Sequence, residues 1–229
     1  GVDAVAARAA VLEAPVLELE LEPSPTRGAT ANATLNARGL KLTTPLAATA
    51  RDLRVVTRLP LLGEPAPTTY LEVTAGELHL PLQTTARDVR ALLAGNFQPG
   101  GFHFVPRELQ VLAGFVESSG FSARALSARL QPQPLPQLNA TLAAQFMGAP
   151  LEVQAQADFA ARSAQLRFSG ALSPAIMPVL GARLGTDVRR FFDFGALDCE
   201  EAEARLGPGW KFEKLTARVA LRDIDAYHV

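Results

Sequence analysis

The sequence predicts a mainly β fold, α+β only in carrying a few short helices. Extended antiparallel β-sheet repeats are expected to form a curved groove or an open sandwich. Three observations predict it. Val16 to Glu22 reads Val-Leu-Glu-Leu-Glu-Leu-Glu, which sets Leu17, Leu19 and Leu21 on one face and glutamates on the other; this is the period-two alternation of a half-buried strand. Similar segments follow one another, separated by Pro- and Gly-rich breaks rather than long helices, which argues against a parallel α/β sheet. Finally, the chain echoes itself at nearly ninety residues, the mark of a stacked or extended architecture.

Taken in order, residues 3–12 are Ala-rich and compatible with a helix, and Val16–Glu22 is the first strand. Pro23-Ser24-Pro25-Thr26-Arg27-Gly28 supplies a loop. Thr30 to Ala37 alternates again, and Leu53–Leu59, Thr69–Val73 and Leu78–Leu82 continue the series. Thr84 or Thr85 is placed to cap a short helix near 84–94, with Gly95 at its left-handed stop. Ser173-Pro174, a cap residue followed by proline at the first helical position, starts a second near 173–184. Asp187–Phe192 adds one more turn. Phe121–Leu130, Gln137–Phe146, Leu151–Phe159 and Gln165–Phe168 read as strands, with a hairpin turn at Met147-Gly148-Ala149-Pro150. Ala202–Leu206 and Phe212–Leu221 flank a second hairpin signal, Gly207-Pro208-Gly209-Trp210.

The echo is made of four ordered matches. Leu78–Leu82 leading into Thr85–Leu93 resembles Leu166–Gly170 leading into Ser173–Leu180, at an offset of 88 residues. Leu126–Leu130 returns as Leu215–Val219 at 89, Phe102 precedes Phe191 by 89, and Leu71–Ala75 returns as Leu151–Ala155 at 80. The proline-rich segment 131–136 lies between the copies. The expected organisation is a first repeat over 1–130 and a second over 131–229, in one continuous elongated unit.

Composition narrows the function. Net charge is −1, with 22 basic and 23 acidic residues and no run of five like charges, which excludes a typical nucleic-acid binder. Hydrophobic residues at 48% allow a sizeable core, and no apolar stretch reaches the ~18 residues of a spanning helix. The opening Gly1-Val2-Asp3 reads as a processed or trimmed start, from which an export signal or anchor can have been removed.

Chemistry-bearing motifs are missing. There is no H-E-x-x-H, G-x-S-x-G, P-loop or G-x-G-x-x-G pattern. His79, His103 and His228 are scattered and read as structural or surface residues, with no metal site expected. Cys199, the one cysteine, excludes an internal disulfide, and acidic neighbours Asp198, Glu200 and Glu201 are expected to raise its thiol pKa. Glu201 and Glu203 fall opposite Ala202 and Ala204, as on a solvated strand face. No catalytic residue, cofactor or enzymatic activity is expected.

Gly170-Ala171-Leu172-Ser173-Pro174-Ala175-Ile176, then Leu180-Gly181 and Phe191-Phe192-Asp193-Phe194, resembles a recurrent segment of the AsmA-like proteins, relatives of TamB. The ending, Phe212–Val219 followed by Asp223–Tyr227, fits the same style of repeated strands. The resemblance implies a twisted β-groove with an apolar concave face in the Gram-negative envelope. It further implies an inner-membrane anchor, neighbouring envelope proteins as partners, and movement of phospholipids toward the outer membrane from the periplasm. The chain departs from that pattern in its length and in lacking the anchor. Under this reading a phospholipid or other acyl chain is the ligand, and alternation nominates Leu17, Leu19, Leu21, Leu71, Val73, Leu151, Val153 and Phe159 as groove residues. The alternative is a structural or interaction β-module whose sheets close into a sandwich, with no lipid ligand.

Overall fold

The computed structural model describes residues 10–23, 29–43, 47–62, 68–81, 83–97, 104–132, 137–176, 178, 182 and 192–226. The chain divides into two units, Gly1–Arg107 and Glu108–Val229. Both are open antiparallel β-structure, as the sequence predicts.

The first unit holds β1 (Ala10–Glu13), β2 (Val16–Pro23), β3 (Ala29–Leu42), β4 (Ala48–Leu62), β5 (Thr68–Leu80) and β6 (Thr84–Phe97). β3 to β6 pair with their sequence neighbours. β1 and β2 lie end to end along one edge of β3, with Glu13 opposite Gly39 and Val16 opposite Asn36. The edge breaks between them at Ala14, whose φ is 47°, and at Pro15, which has no N–H to give a ladder.

Residues directly opposite in a ladder share a face. Leu17, Leu19 and Leu21 therefore share theirs with Leu35, Ala33 and Ala31. Leu35 continues to Val55 and Val73, and Val73 to Ala91. This face would be lost halfway along each strand if alternation ran unbroken. Instead it is reset by a crease. Apolar positions step by three rather than two at Ala37/Leu40, Ala50/Leu53, Ala75/Leu78 and Ala86/Val89, and none of the residues between is buried. Asp52 and Asp88 take φ of 54° and 53° there. Gly76 lies level with Asp88, and a β-carbon on it would sit 3.2 Å from Asp52 Oδ2. Glu13 covers Gly39 similarly, its Oε2 3.1 Å from where a β-carbon would lie. Glycine leaves room for the acidic side chain of the next strand.

The second unit continues from β7 (Phe104–Ser118), which begins just before the unit boundary, through β8 (Phe121–Pro132), β9 (Gln137–Phe146), β10 (Ala149–Asp158), β11 (Ser163–Leu172), β12 (Phe192–Gly207) and β13 (Lys211–Ala226). Each pairs antiparallel with the next. Ser119-Gly120 and Met147-Gly148 are two-residue turns with φ of 50° and 88° in both cases, the positive pair that matches strand twist. Gly209, φ 75°, sits in the 3-10 turn Pro208–Trp210 between β12 and β13. The crease recurs between β7 and β8: Ala125, φ 50°, is level with Gly114. Ala14, Asp52, Asp88 and Ala125 are thus spaced by 38, 36 and 37 residues, one kink per hairpin.

The core is thin. Among the described residues the buried apolar side chains are alanines apart from Leu53 and Cys199, and no large side chain is fully buried. Alanine is short enough to be screened by its cross-strand neighbours without a second layer above it, whereas of the larger aliphatic side chains described Leu53 alone is buried.

Several expectations are corrected. Thr84–Phe97 is strand β6, not a capped helix. The crease at Asp88 spaces Ala86, Val89 and Leu93 as a helix would, while Leu78, Ala75 and Leu71 across the ladder complete the same apolar face. Propensity and period yield to cross-strand pairing. Ala10–Leu12 belong to β1, and Phe192 opens β12. Ser173 caps only a 3-10 turn, Pro174–Ile176, its Oγ accepting the Ala175 N–H at 3.2 Å. Pro178 and Ala182 are helical, and the rest of the segment predicted to run to 184 lies outside the described residues. The long echo is not a structural repeat throughout. Leu71 and Leu78 share β5, whereas Leu151 and Leu166 lie in β10 and β11, and the eight extra residues contain the turn between these two. Leu126–Leu130 and Leu215–Val219 both lie in strands, β8 and β13, while Phe102 and Phe191 lie outside the described residues.

Two glycines give a contrast in stability. Gly170 (φ 145°) stands at the register shift of β11, and a β-carbon on it would collide with the Pro150 carbonyl. Gly148 (φ 88°) has open space around it. Gly170→Ala is expected to cost about 3 kcal/mol or more, Gly148→Ala about 1 kcal/mol. Paired urea melts check the order.

Candidate functional site

Leu17, Leu19 and Leu21 are 61%, 68% and 68% exposed, on a strand that pairs with β3 alone among the described residues. Leu71 and Val73 stand three strands further along the same face, half-buried, against Leu93 and Ala91 of β6. Those five predicted residues are brought onto one face of the first unit. In the second unit Leu151 and Val153 are half-buried between Ala144 and Leu142 on one side and Gly170 and Phe168 on the other. Phe168 continues that row to Ala202, and Ala202 to Ala217. Phe159 does not extend it: the residue falls past the end of β10, in the 159–162 turn, and is 54% exposed. Strict alternation carried it onto the face in the sequence reading, and the turn takes it off.

The face is richer than alternation alone reveals. Leu35, Val55, Val89 and Leu93 belong to it in the first unit, and Leu142, Leu166 and Phe168 in the second. Phe121 and Phe146 stack on the second unit at 5.9 Å between ring centres. The recurring tetrapeptide was the missed signal: Ala37-Arg38-Gly39-Leu40, Ala50-Arg51-Asp52-Leu53, Ala86-Arg87-Asp88-Val89 and Ala123-Arg124-Ala125-Leu126. In each, an apolar residue three positions on marks where a strand changes phase.

The opposite face is polar and tied by cross-strand charges. Glu77 meets Arg51 at 3.5 Å, Arg87 at 3.6 Å and the His79 ring at 3.5 Å. Arg90 meets Glu72 at 2.7 Å, and Arg129 meets Glu108 at 2.9 Å. Glu203 accepts from Arg205 at 2.7 Å and from Gln165 Nε2 at 3.0 Å; the Arg205 guanidinium, above all, holds its carboxyl below the usual range. Such exposed pairs are screened by water and add little to stability; this face stays in water because its charged side chains are costly to bury. At one end of the second unit, Asn139, Gln156, Gln165 and Arg205 line a shallow polar depression of about 670 Å³.

Cys199 is buried against β11, its Sγ 4.0 Å from the Phe168 carbonyl, and burial pushes its thiol pKa up. The direction is the expected one, but desolvation is its cause. Glu201 is exposed while Ala202 beside it is fully buried, as the alternation of β12 requires. Among the described residues no three His, Cys, Asp or Glu side chains converge as metal ligands, and no helix is long and apolar enough to cross a membrane.

Comparison with protein-family models, with curated proteins and with solved structures finds no match. The geometry therefore stands by itself. It offers two open apolar faces, one on each unit, that can take up aliphatic groups without bond making or breaking.

One titration is built into the second unit. Asp158 Oδ1 accepts the Ala161 N–H at 2.8 Å across the β10–β11 turn. That bond, with smaller help from the Gln137 side chain and the Ala160 N–H, lowers its carboxyl pKa against the opposing effect of burial. A depressed carboxylate contributes stability above the ordinary carboxylate range and loses it as pH falls through the lowered value. The thermal midpoint of the wild type should therefore exceed that of Asp158→Ala at neutral pH. The gap should close on acidification through that range, as followed by circular dichroism.

Proposed function

We propose that this chain is a non-enzymatic carrier of the AsmA-like type, sheltering acyl chains on its apolar β-faces as phospholipids pass between membranes of a Gram-negative envelope. One observation carries the proposal: among the described residues nothing covers the aliphatic face of the first unit, with Leu17, Leu19 and Leu21 each more than 60% exposed. A sheet face of this kind ordinarily packs against a second layer, and a contiguous exposed apolar patch marks a binding surface. A closed sandwich would bury it instead.

The physics needs no chemistry step. An acyl chain laid on the face withdraws methylenes from water at about 0.8 kcal/mol each, while the headgroup stays solvated. Successive rows across the strands hold chiefly Ala, Leu, Val, Thr and Phe, with Gly170 and Cys199 continuing the row of Leu151. A chain that shifts from one row to the next exchanges similar contacts, so movement along the face meets small steps. The crease keeps the rows on one face past the middle of β3 to β6, and so lengthens the surface available to one ligand on the first unit. The ion pairs of the opposite face make that side unattractive to hydrocarbon.

Mass spectrometry of organic extracts of the purified chain, with phospholipid exchange between labelled and unlabelled vesicles, tests the reading. The double variant Leu71→Glu/Val73→Glu places charges on half-exposed positions of the face and is expected to cut bound lipid at least about tenfold, roughly the loss of two buried methylenes. Asn32→Asp, on the polar side, should leave it unchanged. Absence of both co-extracted lipid and exchange would overturn the proposal in favour of a structural module.

A further inference from the structure

Two sheet edges remain open. Among the described residues β2 pairs only with β3, and β13 only with β12. Exposed edges present unpaired N–H and C=O groups and invite another strand unless something repels it. The charges are opposite in sign over Val16–Glu22 of β2 and Lys214–Val219 of β13, with Glu213, Asp223 and Asp225 of β13 falling outside the latter stretch. β2 carries Glu18, Glu20 and Glu22, all exposed, on the face away from Leu17, Leu19 and Leu21. β13 carries exposed Lys214, Thr216 and Arg218 on one face, with Ala217 and Val219 on the other.

We infer that β2 of one copy of this chain pairs antiparallel with β13 of a second copy, extending the sheet from chain to chain. The register follows from the side chains. Placing Leu19 opposite Ala217 sets Leu17 against Val219 on the apolar face. On the polar face it sets Glu18 against Arg218, Glu22 against Lys214, and Glu20 against Thr216. A slip of one residue would bring leucines against Arg218 and Lys214, and a slip of two would keep the faces but leave one glutamate–base pair in place of two. Prolines flank β2 on both sides, Pro15 before it and Pro23 at its end, and limit the pairing to this segment.

Present partners do not compete strongly. Arg218 reaches Glu200 only at 3.8 Å and Glu22 reaches Arg58 only at 3.9 Å, all with half or more of the side chain in water. Like edges repel, since β2 against β2 opposes glutamates and β13 against β13 opposes bases. Association is therefore head to tail, the heterologous type that adds copies rather than stopping at a symmetric pair. This inference depends on the edges alone and stands whether or not the apolar face holds lipid.

Sedimentation velocity of the 229-residue chain across concentration and salt tests it, with far-UV circular dichroism as the control for folding. The wild type is expected to associate with rising concentration, and less so in high salt. Glu18→Lys/Glu22→Lys alone, and Lys214→Glu/Arg218→Glu alone, should each associate at least about tenfold more weakly, since two attractive cross-strand pairs become repulsive. An equal mixture of the two variants should recover association, because the reversed edges now complement each other. Under oxidation Glu20→Cys and Thr216→Cys chains, mixed, should give a disulfide-linked pair. A wild type that stays monomeric at all concentrations overturns the inference and makes the glutamates a guard against aggregation. Association unmoved by either charge reversal, or a mixture no stronger than its parts, overturns it equally.

Discussion

A strand's side chains alternate with a period of two, and everything in this fold depends on keeping one face apolar through strands of up to sixteen residues. A sheet kink that shifted one strand alone would send its leucines into water and its arginines under its neighbours. Here the shift is shared. Asp52 and Asp88 turn through positive φ, their paired strands step by three at the same level, and glycine at 76 leaves space beneath Asp52. The left-handed residues are aspartates at two sites, among the side chains that tolerate that conformation best.

The thin core follows from the same constraint. With no second layer among the described residues of either unit, most large side chains keep part of their surface in water, and alanine fills most of the buried positions. Stability then rests on the hydrogen-bonded ladders, on cross-strand contacts within each face, and on ion pairs such as Arg90–Glu72 across the polar side. The apolar side has no equivalent closure. Its remaining exposure is what the proposed hydrocarbon ligand would use, and the unpaired outer strands are what the proposed chain-to-chain pairing would use.

Much of this was legible in the residues. Alternation located β2, β9 and β10, and glycine in two-residue turns located the β9–β10 hairpin. Leu71, Val73, Leu151 and Val153 were placed on apolar faces because strand parity survives without any knowledge of partners. The 84–94 segment failed for the opposite reason. Ala86, Val89 and Leu93 are spaced as in a helix, and only the pairing with β5 shows that the spacing records a kinked strand. Phe159 failed because parity says nothing about where a strand ends. The Ala-Arg-x-apolar tetrapeptides that begin at Ala50, Ala86 and Ala123 recur at 36 and 37 residues, a hairpin period that the longer echo concealed.

Connectivity within each unit has a further consequence. Nearly every ladder joins strands adjacent in sequence, so loop closure between partners is short and each hairpin can form before the next is made. Folding can begin at any tight turn, such as Ser119-Gly120 or Met147-Gly148, and spread outward by zippering. The same nearest-neighbour wiring allows unfolding to fray from the ends instead of proceeding all at once. It also makes the hairpin a natural currency of evolution: duplicating or deleting one, crease included, changes the reach of the surface while leaving the phase of every remaining strand intact.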